Sequence, residues 1–351
     1  MRHGGGTPAE RAFRTGLAET GASHGIGPAD AIDAIVEAPV MRALAGARRV
    51  VLAVSGGRDS MALLRAAMSA APSQVAGVAT FDHGTGAHAT AAARLVQTTC
   101  ESYRIPCATG RAPAGTPATE AAWRMARWHF LRGTAERLAA RVVTAHTLDD
   151  QLETLIIRIL RHAGARGLAG LDADGAVLHP WLAVRRSKVS EYATRHAVEY
   201  ADDPSNQSRA FLRNRVRLDL LPALLRARPS LGTELLGLAS GAAQWRRDVE
   251  RYVGAAHVVR VDENGLSIAA SELASYDVAA LSIVWPVLAA RMGLALDRRG
   301  TARLADFTHR GRIGGEIQLS GGIRVRRSTF SFVFHRRATA ARATRAPAVS
   351  P

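Results

Sequence analysis

The residues best placed to do chemistry are Ser55-Gly56-Gly57-Arg58-Asp59-Ser60. An aliphatic run, Val50 to Val54, stops at Ser-Gly-Gly, and a helical apolar pattern through Leu63, Leu64 and Ala67 follows. This reads as a buried strand, a tight turn and a helix start. Two adjacent glycines let the backbone approach a ligand and turn its N–H groups inward. Those groups and the helix dipole make an anion site, with phosphate as its natural guest. An ordinary turn capped by Ser55 or Ser60 would use the same letters. Asp59 favours the phosphate reading, because an acid beside a phosphate cradle suits Mg²⁺ or a cationic substrate group. No Gly-Lys-Ser/Thr follows, which excludes the P-loop of GTPases and kinases.

The loop must sit on a sheet. Val75 to Phe81 reads as a second strand ending in Asp82-His83-Gly84, Pro106 to Thr109 as a short third, and Arg141 to Ala145 as another ending at His146. Helices are expected over Ala29–Leu44 with a kink or break at Pro39, and near His88–Tyr103, Thr119–Ala139 and Asp149–Arg161. Buried strands alternating with helices imply an α/β fold with a doubly wound parallel sheet, Rossmann-like. Ligands bind such sheets at the carboxyl ends of the strands, where Ser55–Ser60, Asp82-His83-Gly84 and His146 all fall. From Arg185 to Pro222 arginines are dense. Leu220–Arg251 reads as helical. Gly265–Ala269 and Glu316–Phe334 alternate like strands, Gly321-Gly322 reads as a hairpin turn, and helices are expected near Val278–Arg291 and Thr301–Thr308. The expected organisation is a disordered leader (1–28), a catalytic domain (29–222) with an Arg-rich end, a helical linker with a small C-terminal α+β domain (223–337), and a disordered tail (338–351).

The chain has 351 residues and a formal net charge of +16. Such an excess points to a polyanionic partner, and nucleic acid is the usual one. Lys188 is the sole lysine, so codon bias explains arginine in place of lysine but not the excess over acids. No uninterrupted apolar run is long enough for a transmembrane helix, and the N-terminus has no signal-like apolar core. A cytoplasmic protein with no membrane contact is expected. Cys100 and Cys107 form no Cys-x-x-Cys pair, which argues against a zinc ribbon, an iron–sulfur cluster or a disulfide scaffold.

The hexapeptide Ser55–Ser60 resembles the PP-loop of the N-type ATP pyrophosphatases. Four further segments narrow the resemblance: Glu120 to Trp128, His146-Thr147-Leu148-Asp149-Asp150-Gln151-Leu152-Glu153-Thr154, Arg161 to Leu171, and Asp203-Pro204-Ser205-Asn206 followed by Arg213-Asn214-Arg215-Val216-Arg217 and Leu221-Pro222. In order and spacing these resemble the tRNA(Ile)-lysidine synthetases, strongly over about 45–225 and weakly over 250–335, where that family carries a small tRNA-binding domain. The resemblance implies an ATP-dependent ligase. Free L-lysine is attached to C2 of the wobble cytidine of a CAU-anticodon tRNA(Ile), through an adenylated cytidine, with ATP and Mg²⁺. Related enzymes suggest a homodimer.

Within that chemistry the backbone of Gly56, Gly57 and Arg58, with the Ser55 and Ser60 hydroxyls, would hold phosphate, and Asp59 would hold Mg²⁺. Asp149, Asp150 and Glu153 offer carboxylates for the amino groups of lysine. Asp149 and Glu153 share a helix face and are the favoured pair, for lysine or metal. His83 and His146 would contact ATP or the cytidine. Arg161 and Arg166 would neutralise pyrophosphate or nucleotide phosphates. Arg124 and Arg127, one turn apart, would reach phosphate together. Arg213, Arg215 and Arg217 would contact the tRNA backbone, side by side only if that strip is extended.

Four positions depart from the family pattern. Thr85-Gly86 replaces Leu-Arg, Thr147 the second His of Ala-His-His, His162 a Gly, and His179 an Arg. The alternatives are a PP-loop tRNA thiolase, for which Cys100 and Cys107 supply no sulfur-carrying pair, and a basic RNA-binding protein with a decayed ATP site.

Overall fold

In the computed structural model the described residues are 28–84, 86–113, 115–117, 119–173, 177–202, 207–262 and 265–336. The expected leader and tail, Thr85 and the Asp203-Pro204-Ser205-Asn206 segment lie outside them. The described residues fall into two compact units, within Met1–Glu153 with Asp174–Asp219, and within Thr154–Ala173 with Leu220–Pro351.

The first unit begins with helix α1 (Pro28–Ala45) and strand β1 (Val50–Ala53). Helix α2 (Arg58–Ala70), β2 (Val75–Asp82), α3 (Ala87–Tyr103) and β3 (Cys107–Arg111) follow. Then come α4 (Glu120–Arg137), β4 (Arg141–Val143) and α5 (Leu148–Leu160), inside which the division between units falls. Strand β5 (Val177–Leu178) and α7 (Arg186–Arg195) complete the layers, with the short α6 (Ala165–Leu168) lying in the second unit. The strands run in the order β3-β2-β1-β4-β5, all parallel. The order reverses between β1 and β4, so the carboxyl edge there is the place for a ligand crevice.

Aliphatic β1 is buried, and α1, α2 and α7 pack into one core with it through Val36, Leu44, Leu64 and Val189. Helix α1 continues through Pro39 without stopping. Val36, Val40 and Leu44 on its inner face are fully buried, and that packing outweighs the hydrogen bond that proline removes. Trp181, beyond β5, is fully buried and donates from Nε1 to the Val36 carbonyl at 2.9 Å. Strand β3 differs from the expectation of strands buried on both faces. It is the sheet's edge and is half exposed.

The Arg-rich segment is helical, not extended. Helix α8 (Leu212–Arg215) passes into a π-helical turn (Val216–Leu220) and then α9 (Leu221–Ala227). In the second unit α10 (Leu231–Ala256), α11 (Val278–Arg291) and α12 (Arg298–Arg310) accompany an antiparallel sheet. Its strands are β6 (Arg260–Asp262), β7 (Gly265–Ala269), β8 (Glu316–Leu319), β9 (Ile323–Arg327) and β10 (Ser331–Arg336), in the order β6-β7-β10-β9-β8. The Gly321-Gly322 turn joins β8 to β9 as expected, with Gly321 at φ 75°. Trp285, Leu281, Phe332 and Val325 close this core. Among the described residues no helix is long and apolar enough to cross a membrane.

Candidate functional site

The loop after β1 is built by its own side chains. The Ser55 N–H donates to Ser60 Oγ at 3.1 Å, and Ser60 Oγ donates to the Gly57 carbonyl at 2.8 Å. Because the Ser60 proton is spent, the 3.1 Å contact between the two hydroxyls has Ser55 as donor. The hydroxyls therefore brace the loop, and the backbone supplies its outward donors. Gly56 has φ 86°, and a Cβ there would lie 2.8 Å from the Ala92 carbonyl oxygen, so only glycine fits. Gly57 caps α2 with no side-chain hydrogen bond, which leaves that helix start available to an anion. Beyond α7, the Ala201 N–H donates to the Gly56 carbonyl at 2.9 Å and holds the loop from the other side.

A cleft of about 660 Å³ opens at this edge. Ser55, Gly57, Arg58, Asp59 and Ser60 line it together with His83, Arg127, His146, Asp150, Arg186 and Arg217. Its apolar wall is Ala53, Ala79, Phe81, Trp128 and Leu131.

Asp59 is held by α2 at the cleft. Burial raises its pKa, and Arg186 beside it partly offsets that. Its Oδ2 lies 3.4 Å from Arg186 Nε, and its buried Oδ1 lies 3.7 Å from Arg58 Nε but accepts no hydrogen bond. One unsatisfied carboxylate oxygen beside a phosphate cradle fits Mg²⁺, which takes one or two carboxylates and fills the rest of its shell with water and phosphate. Among the described residues no three His, Cys, Asp or Glu side chains converge to hold a metal ion, so Asp59 would share Mg²⁺ with phosphate and water.

Arg186, at the start of α7, joins this loop to the acids of α5. Its Nη2 is 2.8 Å from Asp150 Oδ1 and its Nη1 donates to Glu153 Oε1 at 3.0 Å. Glu153 is only 1% exposed and also accepts from Arg213 Nε at 3.1 Å and Arg217 Nε at 2.8 Å. Arg213 Nη2 reaches Asp150 at 2.9 Å. Burial pushes the Asp150 carboxyl up, but Arg186, Arg213 and the Thr147 N–H outweigh it and hold the pKa below the usual range. The pair that shares this cluster is Asp150 and Glu153, three apart, not Asp149 and Glu153. Spacings of three and four both share a helix face, and Arg186 sits over the first. Asp149 turns to the backbone, accepting from the Arg186 N–H at 2.7 Å, with Arg185 at 3.6 Å.

His146 follows β4. Thr144 Oγ1 stands 2.7 Å from its Nδ1 and 2.6 Å from His179 Nδ1. Burial first, then His179, Arg213 and Arg127, bring the His146 pKa down to about 3 against the opposing Asp150. His83 is also lowered, by burial and then Arg127, and its ring meets Phe81 edge-on at 5.2 Å. Arg127 is half-buried and its Nε has no hydrogen-bond partner, and burial lowers its pKa to about 10. Arg124, one turn away, is exposed.

The structure thus gathers Ser55–Ser60, His83, Arg127, His146 and Glu153, and turns Arg213 and Arg217 inward as ion-pair partners. Arg215 is exposed on the other side of the turn. Arg161 and Arg166 lie in the second unit, where Arg166 Nη2 is 3.6 Å from Glu250. Sequence reading missed Arg186 as the hub, because an arginine in a basic run carries no mark of its partner. It also missed that the α3–β3 turn brings the Cys100 and Cys107 side chains together, close enough for each to shift the other's titration. They sit at the opposite edge of the sheet, since Cys107 pairs with Val78 and the ligand edge pairs Arg111 with Asp82.

A family profile described as a PP-loop domain matches residues 30–224. The chain is 35% identical over 300 residues to the tRNA(Ile)-lysidine synthase of Salinispora arenicola, covering 79% of this chain and 87% of that protein. It is 35% identical over 278 residues to the protein of that name from Bradyrhizobium diazoefficiens, covering 74% and 76%. With the one from Parasynechococcus marenigrum it shares 34% over 209 residues, covering 56% of this chain and 62% of that protein, so it spans less than two thirds of some curated relatives.

Proposed function

The chain belongs to the tRNA(Ile)-lysidine synthase family, and on that premise we propose that it joins free L-lysine to C2 of the wobble cytidine of a CAU-anticodon tRNA(Ile), by way of an adenylated cytidine. The observation that carries this reading is the Arg186 bridge. One guanidinium touches Asp59 of the phosphate loop at 3.4 Å and Asp150 and Glu153 at 2.8 and 3.0 Å. A phosphate cradle and an amine-binding set of acids are thereby joined, as adenylation followed by amine attack requires.

The backbone N–H groups at the start of α2 are aimed where negative charge builds on a phosphate, and they need no reorganisation to receive it. Arg58, Arg127, Arg186 and Arg217 line the same cleft and add positive charge. Asp59 would hold Mg²⁺, which screens phosphate charge when bound. Asp150 and Glu153 hold the ammonium end of an amino acid by charge. His146 stays neutral at physiological pH and offers a ring nitrogen as a hydrogen-bond partner. Phe81 and Trp128 give a flat apolar wall that suits a base. The sign of the net charge, +16, suits a tRNA backbone.

The test uses radiolabelled lysine, ATP–Mg²⁺ and a CAU-anticodon isoleucine tRNA, with methionine tRNA of the same anticodon as control. Lysine enters only the isoleucine tRNA, and Asp59→Ala abolishes it. AMP release without lysine incorporation would mean that adenylation stands and the nucleophile is another amine. Neither AMP nor incorporation would favour a basic RNA-binding protein with a decayed ATP site.

A further inference from the structure

We propose that Arg186, Arg213 and Arg217 make amine binding at Asp150 and Glu153 conditional on an anion in the adjoining phosphate loop. The proposal rests on the lysine-ligase reading and adds the order in which the ligands bind.

The charges of the cleft are already matched. Asp59 faces Arg58 at 3.7 Å and Arg186 at 3.4 Å. Asp149 faces Arg185 at 3.6 Å. Asp150 contacts Arg186 at 2.8 Å, Arg213 at 2.9 Å and Arg217 at 3.6 Å. Glu153 contacts the same three at 3.0, 3.1 and 2.8 Å. These four carboxylates therefore meet five guanidiniums, while Arg127 adds another positive charge to the cleft and Asp202 another negative one. An ammonium entering here meets acids whose charge is spent and guanidiniums that repel it.

An anion changes the balance. Arg186 and Arg217 line the cleft with the loop and also hold Glu153, so a phosphate in the loop gives each a further negative partner. The acids then carry charge that the guanidiniums no longer fully neutralise, and an ammonium can supply the difference. Arg213 completes the cage at Glu153 Oε2, whereas Arg186 donates to Oε1. Arg213 and Arg217, four apart, both reach the one carboxylate. Because coupling between two ligands is reciprocal, the amine must tighten nucleotide binding by the factor the nucleotide gives the amine, on the order of 10- to 100-fold.

Calorimetric titration of L-lysine into the full chain tests this, with and without α,β-methylene-ATP and Mg²⁺. The expected result is saturable lysine binding with the nucleotide analogue, at least about tenfold weaker binding without it, and the same factor in the reverse titration. In Arg217→Gln one guanidinium leaves the cage, and lysine should bind measurably without nucleotide. A misfolded variant cannot imitate this gain. Equal lysine affinity in the two conditions overturns the proposal, as does the absence of lysine binding in both. The lysine-incorporation assay separates the failures. Incorporation without coupling leaves the ligase reading standing, whereas no binding and no incorporation removes both.

Discussion

Glu153→Gln keeps the shape of a side chain that is only 1% exposed and removes its charge. In the wild type its two oxygens accept from Arg186, Arg213 and Arg217 at 2.8 to 3.1 Å. The variant leaves three guanidiniums with Asp150 as their shared acid. Removing one partner of a buried ion pair costs about 3–5 kcal/mol. Here the guanidiniums are 18–30% exposed, and Asp150 remains, so screening trims the loss. The expected destabilisation is about 2–4 kcal/mol, well above the roughly 0–1 kcal/mol of a surface pair. At about 2–4 °C per kcal/mol for a unit of this size, the melting temperature should fall by roughly 5–15 °C. Scanning calorimetry and denaturant midpoints read it directly. The second arm adds Arg217→Gln to Glu153→Gln. If the cost of Glu153→Gln is uncompensated positive charge, removing one guanidinium relieves it, and the double variant is less destabilised than the sum by about 1–3 kcal/mol. A Glu153→Gln protein within about 0.5 kcal/mol of wild type, or strict additivity in the double variant, would refute the cage.

Two further outcomes are expected. His146 has a pKa of about 3 in the fold against about 6.5 unfolded, so the unfolded chain binds the extra proton between those values. Stability should therefore fall as pH drops from 6.5 toward 3, by at most about 1.4 kcal/mol per unit from this group, and His146→Gln should flatten that slope in urea midpoints measured from pH 7 to pH 4.5. Parallel slopes would show that His146 is not buried neutral. In the phosphate loop, Gly56→Ala must abandon φ 86° and clear the Ala92 carbonyl 2.8 Å away, whereas a Cβ at Gly57 meets nothing nearer than Ser55 Oγ at 3.7 Å. Gly56→Ala should lose about 2–4 kcal/mol and its nucleotide binding, with Gly57→Ala within about 1 kcal/mol of wild type, as read by thermal melts and nucleotide titration. Equal behaviour of the two would contradict the loop geometry.

The parallel sheet was legible because its strands are buried, aliphatic and separated by helical periods, and because three polar clusters fall at strand ends. The two-residue strand β5 was not, since Val177–Leu178 carries no period and is defined only by pairing with β4. Pro39 misled for a related reason. A local breaker lost to a helix face fully buried against the core. The arginines at 213, 215 and 217 show the larger limit. Counting them gives a basic stripe, and the +16 charge invites the inference that all three face RNA. The helix instead puts Arg213 and Arg217 four apart on Glu153 and leaves Arg215 exposed. Charge can be read from a sequence, but the partner that neutralises it depends on which turn of chain lies opposite.

The departures from the family pattern follow a rule of the same kind, in which backbone demands are kept while side-chain chemistry changes. His162, where the resemblance leads one to expect glycine, has φ 54° just beyond α5. The turn is closed by Ala163 N–H donating to the Arg158 carbonyl at 2.9 Å, so the left-handed helix stop survives at some cost in strain. Thr147, standing for a histidine, caps α5. Its N–H and hydroxyl donate to Asp150 Oδ2 at 2.9 and 2.8 Å, a reciprocal cap that threonine makes well. That cap also fixes the carboxylate whose other oxygen receives Arg186 and Arg213, so the substitution supports the acid cluster. His179, standing for an arginine, removes a permanent charge and meets Thr144 beside His146. One hydroxyl proton cannot serve two ring nitrogens at 2.7 and 2.6 Å, so one ring donates to Thr144 and the other accepts from it. A guanidinium at 179 has donors only and could not accept that proton. An arginine there would always donate to Thr144, whose hydroxyl would then donate to His146, whereas a histidine lets the pair take either arrangement.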